Sequence, residues 1–350
     1  MASDLRVVDA PLRKETCERC GLVRTAGGPH GLHFGEGYTL YAHAPAQGAP
    51  ERTRQARYAD WIASMASTSP AAVLDAGCGN GSLLLALRER WPAARLYGCD
   101  PSRDSVRHGQ TAGLMLWASS IAGVPADVRA DLIVTVNVIE HIPDPLAFLQ
   151  ELRGRVIAGG RLIVTCPDGA RPDVELLVSD HVHSFTASHL AILLTRAGWS
   201  PRLVEAAPAA LGAFQAVVAD AAAPMAPGPV PAADAALLDR RRRFFAQWAA
   251  LDDALLARTG DARLACFGTG EAAGLLRVYA RRTWQRVYTC TADEAGAATE
   301  CYGLPVTPID TLPPGVPILL GVRAQDQRVV ADRLRQRFDR VVAWYDLVEA

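Results

Sequence analysis

Lysine is almost absent from this chain of 350 residues: Lys14 is the single lysine, and arginine supplies the rest of the 36 basic residues. This bias is a compositional habit and carries no functional weight by itself. The formal net charge is −1, and the one run of four arginines, residues 240–243, is short and is followed by apolar residues. We expect that run to be the exposed face of an amphipathic helix, and we expect no nucleic-acid partner.

Long apolar runs are also missing, and the first twenty residues are polar, so the sequence predicts neither a membrane span nor a secretory signal. Eight cysteines are scattered through the chain with one close pair, which argues against a disulfide framework. We therefore expect a cytoplasmic protein without a membrane partner. Its length and its 50% hydrophobic content favour two domains, or one domain with appendages.

Residues 73–81 have the pattern of a buried strand that runs into a glycine turn and then into a helix. Gly77, Gly79 and Gly81 stand where a sharp turn needs positive φ, or where the backbone must approach a ligand without a Cβ between them. A second apolar strand ends in Asp100, whose carboxylate could accept two hydrogen bonds from a ribose diol. The pattern predicts a nucleotide-binding α/β domain, and a dinucleotide-binding domain remains one alternative.

Residues 74–81 and 98–102 closely resemble the first two motifs of class I S-adenosylmethionine-dependent methyltransferases. Residues 130–142 are similar to the fourth strand of that family and the loop after it, and residues 159–167 to its fifth strand. The order and spacing of the four motifs make the resemblance specific over residues 70–200. It implies a Rossmann-like sheet that binds S-adenosyl-L-methionine, and a related fold that has lost its cofactor is the alternative.

The resemblance also implies which residues bind the methyl donor. The family commonly places an acidic residue against the adenine amine after the third strand, and this chain has none there, so Ser119, Ser120 or backbone atoms would serve. His141 is expected to be a wall or an orienting residue in the loop beside the donor. The full expected set is Asp75, Gly77, Cys78, Gly79, Asn80, Gly81, Asp100, Pro101, Ser119, Asn137 and His141.

Cys17 and Cys20, with a glycine after them, have the spacing of a metal knuckle. A tetrahedral zinc needs two more ligands, and His30 and His33 are the candidates, because no second Cys-x-x-Cys exists. Two reduced structural cysteines are the alternative. The segment resembles the second knuckle of the N-terminal zinc module in sugar C-methyltransferases, which methylate carbons of nucleotide-linked deoxysugars. The first knuckle is missing, so either the histidines complete the site or the metal has been lost.

Residues 180–183 place one carboxylate and two histidines within four positions, which is costly to bury without a purpose. The sugar C-methyltransferases carry a Glu-His dyad here, and Asp180–His181 matches it with a shorter acid. We expect His181, polarised by Asp180, to act as a general base, with Tyr41 or His183 orienting the acceptor. Alternatively, Tyr41 packs the N-terminal module against the core, and His183 caps the next helix or joins it to the sheet.

The predicted domains are a knuckle-like module with an active-site loop at residues 1–60, a donor-binding domain at 61–220, a linker rich in alanine and proline at 221–234, and a smaller Rossmann-like domain at 235–350. The last resembles the C-terminal domain of the sugar C-methyltransferases, which helps hold the substrate's nucleotide. Its glycines 268, 270 and 274 could bind a phosphate at a helix N-terminus or serve packing alone. Predicted strands lie near 72–76, 95–99, 114–118, 131–136, 161–166, 202–206, 212–218, 286–291, 316–322 and 340–344.

The sequence thus predicts methyl transfer from S-adenosyl-L-methionine to a small molecule, with a carbon of a nucleotide-linked sugar as the expected acceptor. An O- or N-methyltransferase of a natural-product or polysaccharide intermediate is the first alternative. A non-catalytic protein that uses the fold to bind a carbohydrate or another protein is the second. The oligomeric state is left open.

Overall fold

The computed structural model describes residues 1–3, 6–8, 11–27, 49–221, 228–293 and 300–348. Two compact units divide the chain: the first comprises Pro11–Arg171 and Ser179–Asp234, and the second comprises Met1–Ala10, Pro172–Val178 and Ala235–Ala350. His30, His33, Tyr41 and residues 222–227 of the predicted linker lie outside the described residues. No helix in the described part of the chain is both long enough and apolar enough to cross a bilayer.

The first unit contains β1 (Lys14–Thr16), β2 (Val23–Thr25), α1 (Ala49–Met65), β3 (Ala72–Ala76), α2 (Ser82–Arg90), β4 (Arg95–Cys99), α3 (Arg103–Thr111), β5 (Met115–Trp117), β6 (Ala130–Val136), α4 (Pro145–Arg153), β7 (Val156–Pro167), β8 (His183–Ser184), α5 (Ala187–Arg196), β9 (Ser200–Ala206) and β10 (Phe214–Asp220). Short 3-10 turns follow β5, β6 and β9.

Seven strands of this unit form one sheet in the order β5-β4-β3-β6-β7-β10-β9. The first five of them along the sheet run parallel, and β10 is antiparallel to both of its neighbours. Helices cover both faces, which explains why β3 and β6 are almost continuously apolar. The order reverses between β3 and β6, and ligands of open α/β sheets bind at the carboxyl ends of the strands at such a point. The predicted Rossmann-like sheet is confirmed.

A second, three-stranded sheet joins the N-terminal hairpin to a segment far along the chain. β2 pairs antiparallel with β1 and with β8, so that Val23 lies opposite Ser184 and Arg24 opposite His183. The backbone N–H of Thr25 also donates to the Val182 carbonyl at 2.8 Å. The hairpin therefore binds the chain at the histidine-rich segment 180–184.

The second unit contains α6 (Ala235–Thr259), β11 (Leu264–Phe267), α7 (Glu271–Tyr279), α8 (Arg281–Trp284), β12 (Val287–Ala292), β13 (Glu300–Cys301), β14 (Leu304–Pro308), β15 (Ile318–Leu320), α9 (Ala324–Leu334), β16 (Val341–Val342) and α10 (Tyr345–Val348), with a 3-10 turn at Val174–Leu177. Its six strands are ordered β13-β14-β12-β11-β15-β16, with β14, β12, β11, β15 and β16 parallel. The expected second Rossmann-like sheet is present.

The arginine run of α6 is not uniformly exposed, so this prediction was wrong in part. Arg241 is only 3% exposed, whereas Arg242 and Arg243 lie on the surface. The reason is helical periodicity: Arg241 lies one turn from Leu237 and Phe244, on the same buried stripe of α6. Burial lowers the pKa of Arg241, and the nearby negative charge of Glu175, in the Val174–Leu177 turn, opposes that effect.

Candidate active site

The turn after β3 is built on three glycines in the left-handed region, as the sequence predicted. Gly77, Gly79 and Gly81 have φ values of 87°, 53° and 75°. A Cβ on Gly77 would lie 2.3 Å from Val138, and one on Gly81 would lie 2.3 Å from Leu114. The turn therefore excludes side chains both by its backbone conformation and by its packing.

Asp100, at the carboxyl end of β4, is hydrogen-bonded to this turn. Its Oδ2 accepts from the Gly79 N–H at 2.9 Å, and its Oδ1 accepts from the Ser102 N–H at 2.8 Å. Burial raises the pKa of Asp100, and the two backbone hydrogen bonds oppose that effect. The carboxylate thus stands at the edge of the turn, while Pro101 beside it is exposed and Ser102 caps α3.

Asp75, the last but one residue of β3, is almost completely buried, with 2% exposure. Burial, together with the nearby charge of Asp100, raises the pKa of Asp75 to about 8. Its Oδ1 is buried and has no hydrogen-bond partner among the described residues. An orphaned carboxyl oxygen inside a protein is costly, so this atom is suited to a donor group that a ligand brings.

Cys78 and Asn80 stabilise the turn from within. The Cys78 side chain is buried, and a Cβ on Gly98 would lie 2.7 Å from its sulfur, so only the backbone of Cys78 is free to approach a ligand. Asn80 Oδ1 accepts from the backbone N–H and from the hydroxyl of Ser82 at the start of α2. These contacts hold the turn in shape before any ligand arrives.

Asn137 follows β6 with a φ of 56°, one of few described non-glycine residues in the left-handed region. Its Nδ2 donates to the hydroxyl of Tyr58 at 3.2 Å, and its Oδ1 is buried with no hydrogen-bond partner among the described residues. Backbone strain of this kind concentrates at functional sites. Ser119, beyond β5, has a buried hydroxyl that lies against Gly123: a Cβ added to Gly123 would be 2.7 Å from the Ser119 Oγ.

The side chains of His141, Asp180 and His181 meet beyond the ends of β6 and β7. His141 Nδ1 lies 2.9 Å from the carbonyl oxygen of Asp180 and 3.8 Å from its carboxylate. The rings of His141 and His181 are edge to face, with centroids 4.8 Å apart. A carbonyl can only accept, so Nδ1 of His141 carries the proton in this contact and Nε2 presents a lone pair.

Burial disfavours the protonated forms of His141 and His183. Burial lowers the pKa of His141; the Asp180 carboxylate and its backbone contact oppose this, and the charge of Lys14 adds to it. Burial also lowers the pKa of His183, with smaller contributions from the charges of Arg24 and Lys14. Neutral histidines at neutral pH can accept a proton, which is what a general base must do.

The predicted alternative that His183 caps the next helix is wrong. Thr186 caps α5 together with His189, while His183 lies in β8 and stacks on Phe185 with ring centroids 5.3 Å apart. His189 Nε2 also lies 2.9 Å from the carbonyl oxygen of Cys20, which links this helix start to the N-terminal knuckle.

Glu140, His141 and His181 form the one group in the described ranges whose potential metal-ligand atoms lie together, within 4.8 Å of one another, and all three residues are buried. A tetrahedral zinc with bonds of about 2.1 Å holds its ligand atoms about 3.4 Å apart. The cluster would have to contract before it could hold such an ion. Glu140 is a member that the sequence reasoning had not selected.

The Cys17–Cys20 segment folds as a tight turn. The Gly21 N–H donates to the Cys17 carbonyl, the Cys17 N–H donates to the Leu22 carbonyl, and Gly21 has a φ of 75°. Hydrogen bonds from the backbone of Cys20 and Arg19 lower the pKa of the exposed Cys17 thiol. The structure describes neither His30 nor His33.

Sequence reasoning missed Lys14, Thr25, Tyr58 and Glu140 as neighbours of the site. Lys14 Nζ donates to the His181 carbonyl at 2.8 Å and to Thr25 Oγ1 at 3.0 Å. Lys14, Thr25 and Tyr58 carry no local pattern, because they come from a hairpin and a helix that only the fold brings to the site. Glu140 lies in the segment 130–142, next to His141.

Comparison with known proteins finds similarity to methyltransferases over the first unit. Residues 51–204 match the family model of a methyltransferase domain. The trans-aconitate 2-methyltransferase of Azoarcus sp. (strain BH72) is 36% identical over 126 residues, which cover 34% of this chain and 47% of that protein. The trans-aconitate 2-methyltransferase of Rhodopseudomonas palustris (strain BisA53) is 35% identical over 120 residues, covering 34% and 46%.

The chain spans about half the length of these curated relatives. Among solved structures, the magnesium protoporphyrin IX methyltransferase of Synechocystis PCC 6803, with bound S-adenosylmethionine, is 18% identical with a TM-score of 0.38. That match covers 48% of this chain and 78% of the other.

Proposed function

We propose that this chain, whose residues 51–204 match the model of a methyltransferase domain, is a class I S-adenosylmethionine-dependent enzyme that transfers a methyl group to a small-molecule acceptor. The observation that carries the proposal is the donor site: three left-handed glycines, the Asp100 carboxylate at their edge, and the buried Asp75 with an orphaned oxygen.

The residues of the turn fit S-adenosyl-L-methionine. Asp100 would hold the ribose hydroxyls, and Asp75 Oδ1 and Asn137 Oδ1, both orphaned acceptors, would take N–H donors of the ligand. Gly77, Cys78 and Gly79 would contact the ligand through their backbone atoms, and Asn80 and Gly81 would hold the turn in shape. Pro101 would flank the turn, and Ser119 would lie nearest to the adenine. The bound donor supplies an electrophilic methyl group on a sulfonium, so the protein must align the acceptor and remove its proton.

In the proposed mechanism His181 removes the acceptor's proton. His141 stands between Asp180 and His181: it contacts the Asp180 carbonyl and carboxylate on one side and packs against the His181 ring on the other. Asp180 thus orients His141 and stabilises positive charge that develops on the pair when a proton arrives. His183 and Tyr41 remain the proposed residues that orient the acceptor.

The acceptor that we favour is a carbon beside a carbonyl in a nucleotide-linked deoxysugar. Such a carbon is not nucleophilic until a base removes its proton, and the buried His181 is the proposed base. Methyl transfer to an oxygen or nitrogen of a natural-product or polysaccharide intermediate would use the same residues on a hydroxyl or ammonium proton.

A carboxylate acceptor is the second candidate, because the similar curated proteins are trans-aconitate 2-methyltransferases. A carboxylate is already ionised at neutral pH and needs no base. The two candidates therefore differ in whether the histidines are essential.

Methyl transfer from isotope-labelled S-adenosylmethionine to a panel of nucleotide-linked 4-ketosugars, hydroxylated sugars and trans-aconitate tests the proposal. With a ketosugar, S-adenosylhomocysteine and D₂O, the wild-type protein should exchange the proton beside the carbonyl, and His181→Gln should not. Transfer to trans-aconitate that survives His181→Gln would favour the carboxylate acceptor. A folded protein that methylates none of these and binds no donor would favour the non-catalytic alternative.

We also propose that Cys17 and Cys20, with His30 and His33, bind one structural zinc ion. The tight turn and the lowered pKa of Cys17 support the two thiolate ligands. Elemental analysis of the purified protein should find one zinc per chain, and less than about a tenth of that in Cys17→Ser. Equal zinc contents would contradict the assignment.

A further inference from the structure

The single lysine of the chain lies at the histidine-rich segment. Lys14, in β1, is half-buried, and its ammonium group donates to the His181 carbonyl at 2.8 Å and to the Thr25 hydroxyl at 3.0 Å. The Thr25 hydroxyl in turn donates to the same His181 carbonyl at 2.7 Å. One carbonyl oxygen, that of the proposed base, thus accepts from a cation and from a hydroxyl.

The surrounding backbone makes this contact rigid. β2 pairs with β8 at Val23–Ser184 and Arg24–His183, and the Thr25 N–H donates to the Val182 carbonyl at 2.8 Å. Hydrogen bonds from one hairpin therefore engage His181, Val182 and the β8 residues in succession. The contact between Lys14 and the His181 carbonyl is therefore held in place by the pairing of the strands.

Several charges face the histidines from the elements packed around them. Lys14 and Arg24 come from the hairpin, Glu140 from the turn after β6, and Asp180 from the segment itself. Lys14 is the group whose charge acts on both His141 and His183 in the direction that disfavours protonation. Asp180 acts in the opposite direction on His141.

We propose that Lys14 is a positioning residue: its ammonium group fixes the backbone of His181 and places one positive charge near His141 and His183 that disfavours their protonation. For its catalytic consequence this inference rests on the proposed function, but its electrostatic part does not. A point charge on a flexible stem can reach a carbonyl and a hydroxyl at once, which suits lysine.

The histidine ring signals of the isotope-labelled, ligand-free protein test the electrostatic part by NMR titration. Lys14→Met should raise the pKa of both His141 and His183 by about half a pH unit, the order expected for one unit charge acting across a partly buried site. Lys14→Arg, which keeps the charge, should leave both values close to those of the wild type. Substituting each histidine by glutamine assigns its signal.

Arg13→Met is the matched control, because it removes an exposed cation from the adjacent position of the same segment and should leave both values unchanged. Thr25→Val separates geometry from charge: it removes one hydrogen bond to the His181 carbonyl and keeps the ammonium group. It should speed amide exchange of residues 181–184 while changing the histidine pKa values less than Lys14→Met does.

The proposal is overturned if a folded Lys14→Met protein keeps the wild-type pKa at both histidines, or if Lys14→Arg changes them as much as Lys14→Met. Once an acceptor is known, the acid limb of the pH profile of kcat/KM should move to higher pH in Lys14→Met and stay in place in Arg13→Met. A protein without methyltransferase activity but with the expected NMR shifts would refute the proposed function and leave the electrostatic role of Lys14 intact.

Discussion

Asp75 gives the proposed donor site a measurable cost in stability. Its pKa is about 8 in the folded protein, against an ordinary value of 3.8, because the carboxyl is buried next to Asp100. The folded state holds the proton more tightly than the unfolded chain does. The free energy of unfolding should therefore be highest below the ordinary pKa and should fall as pH rises toward 8.

The slope for a single group of this kind is about 1.4 kcal/mol for each pH unit between the two pKa values. Between pH 5 and pH 7.5 the contribution to the free energy of unfolding amounts to about 3 kcal/mol. This is an upper limit, because water that reaches the ionised carboxylate would lower its cost. Asp75→Asn keeps the shape of the side chain and cannot ionise. The difference in unfolding free energy between Asp75→Asn and the wild type should therefore grow with pH in favour of the variant.

Urea unfolding followed by tryptophan fluorescence, at half-unit pH intervals without ligand, measures this difference. Taking the two proteins at the same pH cancels the contributions of the other titrating groups to first order. Asp127→Asn, which changes an exposed carboxylate in the same unit, is the control and should run parallel to the wild type. A difference between Asp75→Asn and the wild type that does not depend on pH would refute the assignment of a buried, protonated Asp75.

Three further predictions follow from packing. In α3, Gly109→Ala should lower the melting temperature and weaken donor binding although alanine is the better helix former, because the new Cβ would lie 2.4 Å from the Asn80 carbonyl oxygen in the glycine turn. The control His108→Ala changes an exposed residue of the same helix and should be neutral or slightly stabilising. A Gly109→Ala protein more stable than the wild type would contradict this packing. Arg241→Met should destabilise the protein by about 3 kcal/mol, because it leaves Glu175 buried without the nearby positive charge. Arg242→Met, which loses an exposed ion pair with Asp239, should cost less than about 0.5 kcal/mol in the same unfolding assay. Equal costs for the two variants would refute the buried charge pair. His189→Ala should destabilise the protein by about 1 kcal/mol, because it removes a member of the capping box of α5. It should also speed amide exchange at Cys20 and Gly21, because His189 contacts the Cys20 carbonyl. A loss of stability without faster exchange there would contradict the link between α5 and the Cys17–Cys20 turn.

The glycine turn and the place of Asp100 beside it, on which the proposed donor site rests, could be predicted from sequence because these residues are close together in the chain. The turn glycines and Asp100 are joined by one strand-helix-strand unit, and a sharp turn that approaches a ligand leaves few residue choices. The strands β3, β4, β6 and β7 were located to within a few residues, since buried parallel strands are short apolar runs between turn signals. The bounds of β3 and β4 are those predicted, β6 begins one residue earlier, and β7 begins five residues earlier and ends one residue later.

The acceptor half could not be predicted to the same extent, because long-range pairing creates it. The strands of the three-stranded sheet are two or three residues long, too short for a periodic signal, and β2 meets β8 across most of the first unit. For that reason Lys14 and Thr25 gave no local sign of their contact with His181. The position of Asp180 beside His141 likewise depends on how two loops meet beyond the sheet.

Arg241 shows a further limit of reading charge from sequence. A run of four arginines reads as solvated, yet a helix places every third or fourth residue on the same face. One arginine of the run therefore had to fall on the apolar stripe, where the charge of Glu175, far away in the sequence, opposes the lowering of its pKa by burial.

Calorimetric binding of S-adenosylmethionine and S-adenosylhomocysteine to the purified protein tests the central claim most directly. The account predicts micromolar binding of both by the wild type and by Asp104→Ala, which changes an exposed carboxylate of α3. Asp100→Ala and the isosteric Asp100→Asn should each bind at least tenfold more weakly, because the ribose would lose a charged hydrogen-bond acceptor. A folded wild-type protein that binds neither compound, or Asp100 variants that bind both as well as the wild type does, would contradict the assignment of this turn as the methyl-donor site.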